Sequence, residues 1–191
     1  MSAHTSFSPP KVISIPVILT IVFGLFFELS SRGIISVPLP EKTPNTVGTF
    51  FDVVRAVDGD TIIINMEGKN ESVRLLGINT PESVDPRRPV ECFGKEASTR
   101  MEEIAEGKKV RLEYDESQGY RDAYDRLLAY VYLEDEQMIN RKMIMEGYAY
   151  EYTYLTPYLF QKEFRDAQKF AKSQNRGLWN ESACNGSRVL R

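Results

Sequence analysis

The sequence predicts an α+β domain, a five-stranded β-barrel carrying about three helices, behind an N-terminal hydrophobic segment. Three observations lead there. Five β-patterned runs fall within residues 50–133, and strands that largely precede helices in this way belong to α+β layouts. One helical stripe interrupts them after the third run, and two more close the domain. An uncharged apolar run stands apart at the N-terminus, cut off by a proline-containing stretch.

Residues 1–11 form a tail. Residues 12–27 carry no charge, with Lys11 before them and Glu28 and Arg32 after. The run falls short of the roughly 20 residues that span a bilayer comfortably, and Leu29 extends it to 12–29. Its length lies between a signal-peptide core and an anchor, and Ser31-Arg32-Gly33 has the small-x-small form of a cleavage site. Its proline and β-branched residues suit membrane better than a buried core helix. A cleaved signal and an uncleaved anchor both stay open, and both export the domain. Residues 30–49 hold Pro38, Pro40, Pro44 and Gly48 without periodicity, the composition of a semi-extended tether. The domain is expected over 50–186, with a tail at 187–191.

Within it, residues 51–57 and 61–66 read as strands flanking the Asp58-Gly59 turn, a hairpin-type dipeptide. Residues 73–78 read as the third strand, stopped by Thr80-Pro81 because proline removes a ladder donor and restricts its predecessor. Residues 85–89 are a polar loop. Residues 94–107 read as a helix: Ala97, Met101, Ile104 and Ala105 share one stripe, and Gly107 ends it. Val110, Leu112 and Tyr114 alternate as strand four, and 127–133 is strand five, apolar on both faces. Residues 138–146 form a short helix closed by Gly147. Residues 156–174 form a longer one, with Leu159, Phe160, Phe164, Ala167 and Ala171 as its buried stripe. This order fits a five-stranded Greek-key barrel, the OB-fold, with helices packed on it.

Composition narrows the chemistry. A formal net charge of −3 argues against gripping nucleic acid by bulk positive charge, so contacts with it must be local. The one histidine, His4, precedes the apolar segment, which excludes Ser-His-Asp triads, HExxH zinc sites and histidine–metal nucleases from the domain. Two cysteines, Cys92 and Cys184, make no CxxC pair and exclude a zinc ribbon.

The chemistry-bearing residues cluster at turns and strand ends. Arg74 lies in the third strand and Glu82 follows its end; Asp58 and Asp60 form a tight acidic turn; Asp122, Asp125 and Arg126 open the fifth strand. Two arginines, two acidic turns and one isolated glutamate suit phosphodiester cleavage. That reaction needs a base for the attacking water, positive charge on the phosphorane, and help for the leaving oxygen. The arginine fork matches two phosphate oxygens. Hard oxygen ligands suit calcium.

Five blocks carry a family resemblance across about 50–182: Val57-Asp58-Gly59-Asp60-Thr61, the run from Arg74 to Glu82, Gly94-Lys95-Glu96-Ala97, the run from Tyr124 to Tyr130, and Gly177-Leu178-Trp179. In this order they resemble the staphylococcal (thermonuclease) nuclease family. The resemblance implies an OB-fold endonuclease that cuts DNA and RNA and leaves 3′-phosphate ends. It implies Ca²⁺ held by the Asp60 carboxylate and the Thr80 carbonyl, with Asn79 at the third ligand position. It implies Glu82 as general base, Arg74 and Arg126 as phosphate-holding and transition-state groups, Tyr124 as a phosphate contact, and Asp58 in support. Two departures stand out. The family pattern has aspartate where this chain has Asn79, so calcium binding is expected to be weaker but not lost. Ala123 stands where a lysine is typical.

Other readings stand beside these. Asp58-Gly59-Asp60 alone is a common surface turn. Arg74 reads equally as a structural ion-pair partner, and Glu82 as a solvated loop residue. Tyr148, Tyr150, Tyr152, Tyr154 and Tyr158 either pack a loop or offer base-stacking surface, with Tyr152 and Tyr154 the candidates for contact. Arg87-Arg88 lies on the loop after the catalytic strand. In an exported protein Cys92 and Cys184 are expected to pair, the alternative being two buried thiols. No protein partner is implied, and a monomer is expected. The main rival is a non-catalytic OB-type nucleic-acid-binding module, which has no need of Asp60, Arg74, Glu82 and Arg126 together. A third reading is a membrane-tethered interaction domain.

Overall fold

The computed structural model describes residues 48–83 and 89–188. The apolar segment at 12–29, nearly all of the tether, Arg87-Arg88 and the last three residues lie outside the described residues. Among those described, no helix is long and apolar enough to cross a membrane.

Strands β1 (Phe50–Ala56), β2 (Thr61–Met66), β3 (Lys69–Leu75), β5 (Lys109–Glu113) and β6 (Leu127–Leu133) close a barrel in the order β1-β2-β3-β6-β5. All its pairings are antiparallel except β3 with β6, which run parallel. This is the OB-fold order. Helices α1 (Gly94–Ala105), α2 (Ile139–Met145) and α3 (Gln161–Ser173) accompany it. Two-residue strands β4 (Ile78–Asn79) and β7 (Tyr150–Glu151) pair as a separate ribbon.

The period-2 pattern explains the barrel interior. Ile62, Ile64, Val73, Leu75, Val110, Leu112, Leu127, Ala129 and Val131 are all buried. Met101 and Ile104 of α1, Ile139, Met143 and Ile144 of α2, and Phe164 and Ala167 of α3 belong to the same core. Each fully buried large side chain of this kind contributes about 1.5–3 kcal/mol by leaving water.

Three expectations need correction. The third strand begins at Lys69 and ends at Leu75, four residues earlier than the apolar pattern indicates and three short of Ile78. Its first half is polar yet still alternates, with Glu71 buried and ion-paired to Arg121 at 3.1 Å. Its far end is broken at Gly77, whose φ of +74° favours glycine; a Cβ there would also lie 2.6 Å from Tyr158 and 2.8 Å from Phe164. The long C-terminal helix begins at Gln161, not 156. Leu159 therefore falls off its apolar stripe and is exposed, while its N–H donates to Asp115 Oδ2 at 2.8 Å. Phe160 is only partly buried, packing edge-on against Tyr130.

Cys92 and Cys184 are bonded, with Cα atoms 5.9 Å apart and a sequence separation of 92. The bridge staples the C-terminal segment to the loop that precedes α1. In the chain-entropy model a loop of that length is stabilising by roughly 4–5 kcal/mol before strain is subtracted.

Candidate active site

The break after β3 creates the site. Leu76 and Gly77 turn the chain out of the barrel, β4 presents Asn79, and Pro81 sends the chain past Glu82 toward α1. Asp60 ends the turn before β2, and the β2–β3 register sets Thr61 opposite Arg74. Asp60 is thereby brought against β3 and the β4 turn at once. Its Oδ2 accepts from the Thr80 backbone N–H at 2.8 Å and the Thr80 hydroxyl at 3.0 Å, and pairs with Arg74 Nη2 at 3.1 Å. Asp60 and Arg74 are both largely buried, with side-chain exposures of 8% and 14%. A buried pair of this kind is stable only with further hydrogen bonds, which Thr80 supplies on one side and the Leu75 carbonyl, accepting from Arg74 Nη1, on the other.

Asp58 supports the turn: its Oδ1 accepts from the Asp60 N–H at 3.0 Å. Burial, then the neighbouring Asp60 charge, push its carboxyl up to about 6. Two carboxylates are thus crowded into one turn, with the Thr80 hydroxyl oxygen 3.0 Å from Asp60 and Asn79 adjacent to Thr80 in the chain. That donor set fits a hard cation bound by few charges. Among the described residues, no group of three or more histidine, cysteine, aspartate or glutamate side chains could hold a metal ion. Any ion here would therefore depend on neutral oxygens.

The Asn79 amide lies between two guanidinium groups. In one orientation its oxygen accepts from Arg74 Nη2 at 3.3 Å. Turned over, it accepts from Arg188 at 2.7 Å and 3.3 Å, and this orientation satisfies both ends of the amide.

Glu82 lies two residues past Thr80. One carboxylate oxygen accepts from the Ser83 N–H at 2.9 Å. Its backbone is held on both sides by Glu91: the Glu82 N–H donates to Glu91 Oε2 at 3.1 Å, and the Glu91 N–H donates to the Glu82 carbonyl at 2.8 Å. Gly94 packs directly beneath, where a Cβ would collide with that same carbonyl oxygen. Gly94→Ala is therefore expected to displace the Glu82 segment. We expect it to lower kcat about ten-fold or more while costing only about 1–3 kcal/mol of stability. Parallel cleavage assays and thermal melts check this, and parental activity would contradict it.

Arg126 is held separately, just before β6. Since Val73 pairs with Leu127 and Arg74 with Leu128, alternation sets Arg126 on the same barrel face as Arg74. Asp122 fixes it, accepting from Arg126 Nε at 2.7 Å and Nη2 at 2.6 Å, and from the backbone N–H groups of Tyr124 and Arg126. Burial raises the Asp122 carboxyl, but the Arg126 guanidinium and these amides outweigh it and hold it below its ordinary value. The Tyr124 ring is exposed, with the Arg126 guanidinium 5.4 Å from its centroid.

Asp60, Arg74 and Thr80 are joined by direct contacts, Asn79 lies between Arg74 and Arg188, and Glu82 follows two residues past Thr80. Tyr152 and Tyr154 are exposed, with ring centroids 6.4 Å apart. The Tyr152 N–H donates to the Gly77 carbonyl, which seats this pair along the β4–β7 ribbon. Tyr158 is core: its hydroxyl reaches Glu151 at 3.0 Å and the Gly77 carbonyl at 3.3 Å. Asp122, read from the sequence as part of an acidic turn, proves to be the group that holds Arg126. Two contributors escaped the sequence reading, Glu91 and Arg188, whose partners are distant in sequence.

Comparison with known proteins gives a family match and several relatives. Residues 72–181 match the family model described as staphylococcal nuclease homologue. The chain is 38% identical over 160 residues to a thermonuclease of Staphylococcus hyicus, covering 84% of this chain and 90% of that protein. It is 39% identical over 161 residues to a thermonuclease of Staphylococcus intermedius, covering 84% and 92%. It is 40% identical over 131 residues to endonuclease YncB of Bacillus subtilis, covering 67% and 60%. A family match over more than half the chain, together with these identities and the barrel order, leads to one conclusion: the chain belongs to the staphylococcal nuclease family.

Proposed function

We propose that this protein is a Ca²⁺-dependent, sugar-nonspecific endonuclease that cleaves DNA and RNA to 3′-phosphate products after export. That it is a nuclease hydrolysing phosphodiester bonds follows from its family and from relatives named thermonuclease and endonuclease. The metal, the product ends, the export and the residue roles are our reading of the chain. The observation that carries it is the joining of Asp60, Arg74 and Thr80 on the loop that continues into Glu82.

In this reading Glu82 takes the proton of the attacking water on its carboxylate, directly or through its hydrogen-bond network. Arg74 and Arg126 hold the non-bridging phosphate oxygens and offset the charge that builds on them. Arg126 also assists the departing 5′-oxygen. Tyr124, and Tyr152 with Tyr154, flank the substrate chain through hydroxyls and ring faces. Asp60, the Thr80 carbonyl and the Asn79 amide oxygen would hold Ca²⁺, which when bound supplies Lewis-acid charge to the phosphoryl group. The bonded Cys92–Cys184 pair is consistent with an oxidising compartment. The apolar run at 12–29 supports export by cleaved signal or by anchor.

With one carboxylate and two neutral oxygens, half-maximal activity is expected at roughly millimolar Ca²⁺. Asn79→Asp should lower that concentration by restoring a charge. Plasmid and RNA digestion by residues 45–191 across a Ca²⁺ titration, with Mg²⁺ and chelator controls, checks both. Full activity in excess chelator would overturn the calcium assignment.

A further inference from the structure

The C-terminal segment carries an arginine, Arg188, beside the candidate catalytic turn and close to the disulfide. After Cys184 the chain returns alongside Cys92, and the Cys92 N–H donates to the Arg188 carbonyl at 3.0 Å. The Arg188 side chain then meets three groups. Its Nη1 donates to Glu91 Oε2 at 3.0 Å. With the Asn79 amide turned over, its oxygen accepts from this guanidinium at 2.7 Å and 3.3 Å. It also stacks over Tyr150, 4.4 Å from the ring centroid, and Tyr150 in turn packs edge-on against Trp179.

These contacts converge on the two ends of one loop. Asn79 stands at its start. Glu91 stands at its return, and the oxygen that receives Arg188 also receives the Glu82 N–H. Arg188 therefore spans the loop from Asn79 to Glu91 and sits one hydrogen bond from the Glu82 backbone. Its position depends on residues more than ninety apart in sequence, held by the Cys92–Cys184 bridge and the Cys92–Arg188 backbone bond. Its charge is already met by the Glu91 carboxylate, which disfavours a primary role as a phosphate clamp. Arginine is suited to the bridging task because one rigid fork donates to two acceptors at once.

We propose that Arg188 is a positioning residue for the catalytic turn, tethered there by the Cys92–Cys184 disulfide, so that oxidation of this pair sets the activity of the site. The inference rests on the roles given above to Glu82 and Asn79.

The test uses the full chain, oxidised, with the variants Arg188→Ala, Arg188→Lys, Cys92→Ser/Cys184→Ser and the triple combination. A single-linkage oligonucleotide is the substrate. Arg188→Ala is expected to lower kcat roughly ten-fold or more, as misplacement of a catalytic group does, with KM unchanged and thermal midpoint near parental. Arg188→Lys is expected to recover only part of the loss. Amide hydrogen exchange at Glu82 should quicken in Arg188→Ala. The double serine variant should show the same kcat loss, as should the parent treated with dithiothreitol. Adding Arg188→Ala to the double serine variant should then cost nothing further. Four results would overturn the proposal: parental kinetics in Arg188→Ala, a raised KM at unchanged kcat, unchanged Glu82 exchange, or additive losses in the triple variant. Glu82→Gln is run beside them. If it too keeps the parental rate, the site assignment itself fails; if only Arg188→Ala does, the failure belongs to this inference alone.

Discussion

Glu82→Gln is expected to lower kcat by about 10²-fold or more, because the amide cannot accept the proton of the attacking water. The substitution keeps the side chain's size and one oxygen to accept from the Ser83 N–H, and the backbone bonds to Glu91 do not involve the side chain. Folding should survive it. Arg74→Ala and Arg126→Ala should cost a similar factor by removing charge from the phosphate. Their structural costs differ. Arg74→Ala leaves the buried Asp60 carboxylate with neutral donors, the Thr80 N–H and hydroxyl and the Thr61 hydroxyl, so it should also destabilise the fold, whereas Arg126→Ala leaves Asp122 partly exposed with its backbone donors intact. Purified variants with parental circular dichroism and parental rates at all three positions would contradict the assignment.

The largest stability effect is expected from Asn140→Leu. Asn140 is fully buried in α2 and acts as a polar rivet between the barrel and the site. Its Oδ1 accepts from the Val131 N–H at 2.9 Å, and its Nδ2 donates to the Leu76 carbonyl at 2.8 Å and the Ala129 carbonyl at 3.3 Å. Leucine fills a similar volume but leaves the Val131 donor and the Leu76 acceptor facing an apolar side chain. Each unsatisfied buried group costs about 1–3 kcal/mol, so a loss of roughly 3 kcal/mol or more is expected. Leu76 begins the turn that carries Asn79 to Glu82, so activity should fall with stability. Guanidinium unfolding of the variant beside the parent measures this. A loss under about 1 kcal/mol would mean that the interior does not depend on these bonds.

Much of the barrel is legible in the sequence because a strand with one buried face must alternate. Ile62 and Ile64, Val73 and Leu75, and Val110 and Leu112 announce their strands in this way. Where the inward residue is charged the signal fails. Glu71 is buried between Lys69 and Arg121, the latter 50 residues away, so the polar first half of β3 carries no apolar alternation. The ribbon of β4 and β7 is too short for any periodicity. Leu159 reads as core by spacing, yet Pro157 and the late start of α3 remove it from the helical repeat. The candidate site divides along the same line. Asp60, Arg74, Glu82 and Arg126 stand out as chemically unusual residues at turns and strand ends. Glu91 and Arg188 look like ordinary solvated charges, since nothing local reveals that a disulfide brings them to one loop.

The most direct test of the account is end-group analysis on single-linkage oligonucleotides, one with deoxyribose and one with ribose at the scissile position, incubated with the full chain in Ca²⁺. The account predicts cleavage of both, with a 3′-phosphate on one fragment and a 5′-hydroxyl on the other, abolished by chelator and by Glu82→Gln. Saturable binding of both oligonucleotides without any cleavage in Ca²⁺ would contradict it, and would instead identify a barrel that holds nucleic acid without cutting it.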